Sequence, residues 1–558
     1  MIKKLPLGLT DFSKIIKENY YFTDKTMFID ELLKDGAEVK LFTRPRRFGK
    51  TLNMSMLKHF FDIKNGEENR KLFSGLKIEK TESFQEQGKY PVIFVSFKDI
   101  KELDKDTCFS KIRKLISDVY DEHNFIMDTL NIKDKNHFTK VWLQEKEVNY
   151  SEAFKDLSKY LYEYYGQKVI ILIDEYDSPI VSAYEHGYYN EAVSFFRGLY
   201  SSAMKDNQYL QMGVMTGILR IAKEGIFSGL NNLAVRTILD DKFSTHFGLL
   251  EDEVKEALDY YSLEYKIDEV KDWYDGYRFG KSEVYNPWSI INYIDAGRLG
   301  AYWVGTSDNY LINELLEKAG TNLFDELKSI FSGNMIEKTL DSSTSLSYLT
   351  NPQEVWQLLL YSGYLKAEER VDFDKYALKI PNKEIKTFFE KSFITRFLGN
   401  IDYFDEMIKS LKKDDMRKFA KYLNDLLFIR MSYHDGDKTE EKFYHNLVLG
   451  MVLSMVKDYE IYSNRESGYG RYDISVEPID KSKLGYIFEF KVAGNVADLE
   501  TKAEEALKQI AEKKYSVTML SNGIKNIREI GIAFCGKDLK VAFYDEENNI
   551  AFGSGYKY

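Results

Sequence analysis

Four short, mostly apolar runs mark the first part of the chain, at residues 39–43, 91–97, 169–174 and 210–216. Runs with little polar alternation belong to strands buried on both faces, as in a parallel sheet. Between them, apolar positions recur at helical spacing over 53–61, 111–123 and 150–165, and Thr23 or Asp24 is placed to cap a helix reaching Leu33. Strand and helix alternating in this way predict a doubly wound α/β sheet. The pattern changes near residue 246. Residues 246–400 read as helical, with Asn286 and Pro287 opening one helix because proline suits a first turn. The Ser- and Thr-rich stretch 328–350 reads as loop or boundary. Beyond 400, an apolar helix over 442–455 carries one histidine, Asp473 begins an alternating strand, a second strand follows over 483–492, and a helix covers 503–515. The organisation expected is therefore three domains, 1–245, 246–400 and 401–558.

Bulk composition narrows the class. The 558 residues suffice for two to four domains. No apolar run approaches the ~20 residues of a membrane helix, and Met1-Ile-Lys-Lys-Leu-Pro6 lacks the apolar core of a signal peptide. Cys108 and Cys535 lie far apart, indicating neither a disulfide framework nor a cysteine zinc site. A cytoplasmic protein with no membrane partner is expected. The net charge of −11 argues against generic coating of nucleic acid while leaving a local basic groove open. With only 8 prolines there is no Pro-rich linker, so direct packing of the domains is expected.

The chemistry begins at the end of the first strand. Arg44-Pro-Arg-Arg-Phe-Gly-Lys-Thr-Leu52 lies between a strand and a helix, the context of a phosphate-binding loop. Gly49 permits close approach of a phosphate, Lys50 reaches β- and γ-phosphates, and Thr51 offers a hydroxyl to Mg²⁺; the helix start adds free N–H groups. The standard pattern places glycine where Arg44 stands, and a basic turn before an ordinary helix would give the same short string. Partner residues decide between them. The third strand ends in Asp174 and Glu175, one suited to hold Mg²⁺ and its waters, the other to activate an attacking water. Thr216 ends the neighbouring strand, and Arg197 or Arg220 is a candidate for the γ-phosphate or for a surface ion pair. Tyr20 to Phe22 form either a wall for a base or core packing.

Near the other end, Glu489 and Lys491 are two apart on a strand and share a face, with Phe488 and Phe490 on the other. An antiparallel hairpin through 478–483 brings Asp473 beside Glu489. Two carboxylates and a lysine on one sheet face suit Mg²⁺ or Mn²⁺ acting on a phosphate. A half-exposed hairpin with Glu–Lys neighbours is the plain alternative. Lys502, Lys508, Lys513, Lys514, Lys525 and Arg528 are candidates for a nucleic-acid backbone or for a solvated face.

These strings, together with Phe22-Thr-Asp-Lys-Thr26, Leu172-Ile-Asp-Glu-Tyr-Asp-Ser-Pro179, Trp273-Tyr-Asp-Gly-Tyr-Arg-Phe-Gly280 and Tyr285-Asn-Pro-Trp-Ser289, resemble the AAA-ATPase-like family of prokaryotic proteins. In that family arginine at the position of Arg44 is normal. The resemblance implies an ASCE-type P-loop NTPase core with a parallel sheet, a helical and winged-helix-like middle region over 246–400 in which 358–365 resembles the end of a winged-helix unit covering the nucleotide, and a C-terminal restriction-endonuclease-like α/β domain of PD-(D/E)XK type. It implies ATP and Mg²⁺ as cofactors. The nucleotide set would be Arg46, Arg47, Phe48, Gly49, Lys50, Thr51, Leu52, Asp174 and Thr216, with Glu175 catalytic. The nuclease set would be Asp473, Glu489, Lys491 and Gln509, with Tyr515 auxiliary and His445 and Glu466 as outer ligands. Metal would lie on Thr51 and Asp174, and on Asp473 and Glu489. Tyr472 replaces the proline of the nominal signature. The function implied is an ATP-coupled, Mg²⁺-dependent nuclease acting on nucleic acid, DNA ahead of RNA. The alternatives are an ATP-driven, STAND-like oligomerisation switch of several copies with a nuclease-like or nucleic-acid-binding effector, and a binding protein with remnant sites.

Overall fold

A computed structural model describes residues 2–221, 227, 230–263, 265–303, 326, 329–330, 334–340, 352–389, 401–430, 441–452, 455 and 458–554. The chain divides into two compact units, Met1–Lys386 and Thr387–Tyr558.

The first unit is built on five parallel strands: β1 (Val39–Thr43), β2 (Val92–Ser96), β3 (Val169–Asp174), β4 (Leu210–Gly217) and β5 (Leu233–Arg236), ordered β2-β3-β4-β1-β5. Every residue of β1 and β3 is buried, as their apolar runs require. The acidic strand β3 is separated by β4 from β1, the strand that leads into the candidate phosphate loop, which is the ASCE arrangement. Helices Lys50–Phe61, Lys105–Glu122, Ala153–Tyr165 and Tyr189–Met204 connect these strands. The early helix spans Met27–Lys34 with Thr26 at its N-cap, not Thr23 or Asp24. Asp24 instead accepts from the Thr26 amide and hydroxyl at 2.9 and 2.6 Å, one turn ahead of the helix.

The middle stretch is helical over Glu251–Tyr260, Ile267–Tyr274, Pro287–Ala296 and Pro352–Tyr361. It is not helical throughout. A hairpin of β6 (Tyr277–Phe279) and β7 (Ser282–Val284) interrupts it, and a three-stranded antiparallel sheet joins β8 (Ile336–Thr339), β9 (Lys366–Asp372) and β10 (Lys375–Lys379). Asn286 caps Pro287–Ala296 by accepting from the amides of Trp288 and Ser289. Most of 328–350, expected as loop, lies outside the described residues; its described part includes β8.

The second unit holds a six-stranded sheet, β11 (Tyr459–Ser463), β14 (Ile474–Pro478), β15 (Gly485–Val492), β16 (Ile527–Cys535), β17 (Asp538–Tyr544) and β18 (Ile550–Gly553), with a small hairpin of β12 (Glu466–Ser467) and β13 (Gly470–Arg471). Only β15 and β16 run parallel. One face carries Phe488, Phe490, Ile530 and Ile532 against side chains of helices Ile401–Lys412, Met416–Arg430 and Glu441–Val452. The other face receives helix Leu499–Glu512 through Ala503 and Leu507. A Cβ at Gly531 would lie 2.4 Å from Ala503 O and Leu507 N, so only glycine admits that helix so close.

Candidate functional site

The carboxyl ends of the parallel strands gather the first set of polar groups, where ligands bind in open α/β sheets. Gly49 takes φ +84°, turning the chain from β1 into the Lys50–Phe61 helix and aiming its first amides outward. The Lys50 ammonium donates to the carbonyls of Arg44 and Pro45 at 3.0 and 2.9 Å. Burial pulls its pKa down, opposed by Glu175, Asp177 and Asp174. Thr51 donates its hydroxyl to Asp174 Oδ2 at 2.9 Å, and Ser96 approaches the same oxygen at 3.1 Å. Thr216 donates to Asp174 Oδ1 at 2.6 Å. Burial raises the Asp174 pKa, the Thr216 and Thr51 bonds oppose it, and Glu175 adds to it. Thr216 therefore holds Asp174. Its hydroxyl lies 3.4 Å from the Glu175 amide.

Glu175 sits in the left-handed region at φ +52°, as does Arg47 at φ +67°. Such backbone in non-glycine residues clusters at functional sites. Ser178 donates to Glu175 Oε2 at 2.9 Å. Arg47 and Glu175 line a cleft of about 550 Å³ together with Arg46, Gly49, Lys50, Thr51, Leu52, Lys98 and Lys101. Sequence reasoning missed Lys98 and Lys101, which look like ordinary surface lysines until β2 is placed beside β3. Arg197 is exposed on its helix, and neither it nor Arg220 lines this cleft.

The loop is held from the middle of the chain. Phe48 is fully buried, with Tyr277 and Phe279 at ring distances of 4.9 and 5.2 Å, and does not line the cleft. The Arg47 guanidinium stacks 3.6 Å over Trp288. Trp303 Nε1 donates to Arg46 O at 3.1 Å, and the Trp303 amide donates to buried Glu384 at 2.6 Å. Ser289 donates to the other Glu384 oxygen, and burial lifts that carboxyl to about 7.

Arg44 does not line the cleft. It is fully buried, donates to the carbonyls of Thr43 and Arg236 at 2.9 and 2.8 Å, and lies 5.0 and 5.2 Å from the rings of Phe247 and Phe279. Lys25 of the early Thr-Asp-Lys-Thr string is likewise structural, bound to Thr245 O and Glu253. Tyr21 and Phe22 line an apolar pocket of about 100 Å³ that shares Gly49 and Leu52 with the cleft.

In the second unit, the antiparallel pair Ile474↔Phe488 makes Asp473 and Glu489 the next opposed positions. Asp473 Oδ2 accepts the Phe490 amide at 2.8 Å, continuing the ladder with a side chain. Lys491 Nζ lies 3.8 Å from Glu489 Oε1. Gln509 donates to that same oxygen and, at 3.2 Å, contacts the Tyr515 hydroxyl. His445 Nε2 lies 3.1 Å from the backbone carbonyl of Asp473, and Glu466 is exposed on the small hairpin. Tyr472 is buried among Ile487, Ile510, Tyr515 and Met519, packing the hairpin against the helix that carries Gln509. Of the candidate basic residues, Lys502, Lys508 and Arg528 are ion-paired with Glu505, Glu504 and Asp414.

Both places offer hard oxygen donors: a hydroxyl beside a carboxylate in the first unit, two opposed carboxylates in the second. Among the described residues no three His, Cys, Asp or Glu side chains form a closed cage. That donor set fits Mg²⁺, which keeps several waters and takes one or two carboxylates.

A family model described as Predicted AAA-ATPase matches residues 6–227. A model described as PD-(D/E)XK nuclease superfamily matches residues 439–544. A protein of Azotobacter chroococcum mcd 1, named as an uncharacterized protein in the vnfD 5' region, is 25% identical over 548 residues, covering 95% of this chain and 96% of that one. Among the described residues no helix is long and apolar enough to cross a membrane. The chain thus joins an N-terminal domain of the predicted AAA-ATPase-like family to a C-terminal domain of the PD-(D/E)XK nuclease superfamily.

Proposed function

We propose that the protein binds and hydrolyses ATP in the first unit and couples this to Mg²⁺-dependent cleavage of DNA in the second. The observation that carries the reading is that each unit draws distant residues into direct contact around an oxygen-donor centre: Thr51, Thr216 and Asp174 in one, Asp473, the β15 backbone, Glu489 and Gln509 in the other.

In the first unit, Thr51 and Asp174 would hold Mg²⁺. Lys50 exchanges its loop carbonyls for β- and γ-phosphate oxygens, and the amides of Phe48 to Thr51 cradle the chain. Glu175 orients the attacking water and accepts its proton. Thr216 fixes the Asp174 carboxylate, and Arg46 and Arg47 present charge at the rim. In the second unit, Asp473 and Glu489 would hold the ion. Bound there, Mg²⁺ supplies Lewis acidity to phosphoryl oxygen. Lys491 sets charge against the scissile phosphate, Gln509 orients Glu489, and Tyr515 positions Gln509.

The test is plasmid cleavage with Mg²⁺, with and without ATP, by wild type, Lys50→Ala and Asp473→Ala. The reading expects Lys50→Ala to lose nucleotide binding and ATP-dependent cleavage. Asp473→Ala should lose cleavage while keeping ATP hydrolysis. Cleavage indifferent to both ATP and Lys50 rejects coupling. ATP-dependent assembly with no cleavage of DNA or RNA replaces this reading with that of a switch.

A further inference from the structure

The segment after β2 contributes to the lining of the same cleft as the candidate phosphate loop. Ser96 pairs with Asp174 across the two strands, and the Phe97 amide donates to Asp174 O at 3.0 Å. The segment therefore leaves the sheet directly beside the candidate metal carboxylate. A turn closes it, Ile100 N to Phe97 O at 3.0 Å, and Ile100 is buried beneath. Its far end is fixed where Tyr188 donates to Glu102 O at 2.7 Å. Lys98 and Lys101 project from this anchored turn and line the cleft.

Both are exposed, and neither side chain makes a hydrogen bond or ion pair among the described residues. Most charged lining of the cleft is cationic: Arg46, Arg47, Lys50, Lys98 and Lys101 stand against Glu175. In a chain of net charge −11 this is a local inversion, fitted to a compact polyanion. The loop amides and Lys50 come from the end of β1, and the two lysines come from the end of β2, with β3 and β4 between them, around the same cleft.

We propose that Lys98 and Lys101 form a clamp in cis on the terminal phosphate of a nucleoside triphosphate, so that the cleft distinguishes triphosphate from diphosphate. This rests on the phosphate-loop reading above. The inner phosphates lie on the Gly49–Lys50–Thr51 wall, common to both nucleotides. The third phosphate carries the added charge toward the β2 turn, where the two cations have no other hydrogen-bond or ion-pair partner among the described residues. An ammonium on a flexible stem suits this task, since its three donors adapt to a tetrahedral anion.

The test uses the full chain and fluorescent ATP and ADP analogues. Wild type is compared with Lys98→Ala/Lys101→Ala, Lys98→Arg/Lys101→Arg and Lys50→Ala. Lys114→Ala, which breaks an exposed pair with Asp118, controls for net charge. The clamp predicts that the double alanine variant loses about tenfold or more in ATP affinity, ~1.4 kcal/mol, with ADP affinity changed less than about threefold. The arginine variant keeps most of the preference, and Lys114→Ala matches wild type. Equal loss for ATP and ADP overturns the proposal, assigning the lysines to a general field. So does unchanged ATP affinity. The reading beneath is judged separately: wild type that binds neither nucleotide, or Lys50→Ala that binds both normally, removes the phosphate loop itself.

Discussion

Arg44 stands where the standard phosphate loop has glycine, so Arg44→Gly restores that pattern and should nevertheless damage the protein. Burial lowers the guanidinium pKa to about 9, which corresponds to a cost of roughly 5 kcal/mol for keeping it charged at neutral pH. Against this stand two bonds to the carbonyls of Thr43 and Arg236, worth ~1.5–3 kcal/mol each from a charged donor. The faces of Phe247 and Phe279 add ~1 kcal/mol each. The charge thus roughly breaks even, and the side chain's volume decides the outcome. Arg44→Met keeps the stem and should lose no more than ~2 kcal/mol. Arg44→Gly leaves a cavity and two stranded carbonyls, and should lose at least ~4 kcal/mol. All five tryptophans, at 142, 273, 288, 303 and 356, lie in the first unit, so urea unfolding followed by tryptophan fluorescence reports that unit alone. ATP affinity should fall in step, because the loop begins at this residue. Arg44→Gly with wild-type stability and equal or tighter ATP binding would refute the placement of this side chain under β5.

Other variants probe other joints. Gly531→Ala forces a Cβ against the Leu499–Glu512 helix and should cost the second unit ~2–4 kcal/mol; circular dichroism should lose its second-unit midpoint while the tryptophan transition stays, and an unmoved midpoint contradicts the close approach. Glu384 is lifted from 4.5 to about 7, so between those values the unfolded chain releases a proton that the fold retains. The first unit should lose about 3 kcal/mol from this group as pH rises from 4.5 to 7, and Glu384→Gln should remove that slope; identical slopes for the two proteins reject it. Trp288→Ala removes the surface on which Arg47 stacks and should weaken ATP binding about fivefold, ~1 kcal/mol, with titration of a fluorescent nucleotide as the check.

The gathering of the first candidate site's residues is legible because they stand at the carboxyl ends of mostly apolar strands. Lys50 and Thr51 follow β1, Asp174 ends β3 with Glu175 next, and Thr216 is next to last in β4; a parallel sheet then brings them together by topology alone. The pairing of Asp473 with Glu489 was legible from alternation and a short turn. What escaped depended on distant partners. Lys98 and Lys101 carry no local pattern, and they face a cleft only because β2 pairs with β3. The inward course of Arg44 depends on Arg236 and Phe247, which no nearby residue announces. β9 reads Lys-Ala-Glu-Glu-Arg-Val-Asp, a composition as acceptable to a helix as to an exposed hairpin, so the sequence of the middle sheet reads as helix. β5 is four half-buried residues, too short for any period to register.

The fastening of the phosphate loop also bears on how the protein is cut for experiment. A fragment ending at residue 227, where the family match stops, would retain Arg44, Arg47 and Phe48 but discard their supports at Arg236, Phe247, Tyr277, Phe279 and Trp288. It would expose an aromatic ring and a guanidinium evolved for the interior. Expression work should therefore treat Glu384, the last anchor in this chain of contacts, as the earliest sensible terminus for a fragment that keeps the loop's supports.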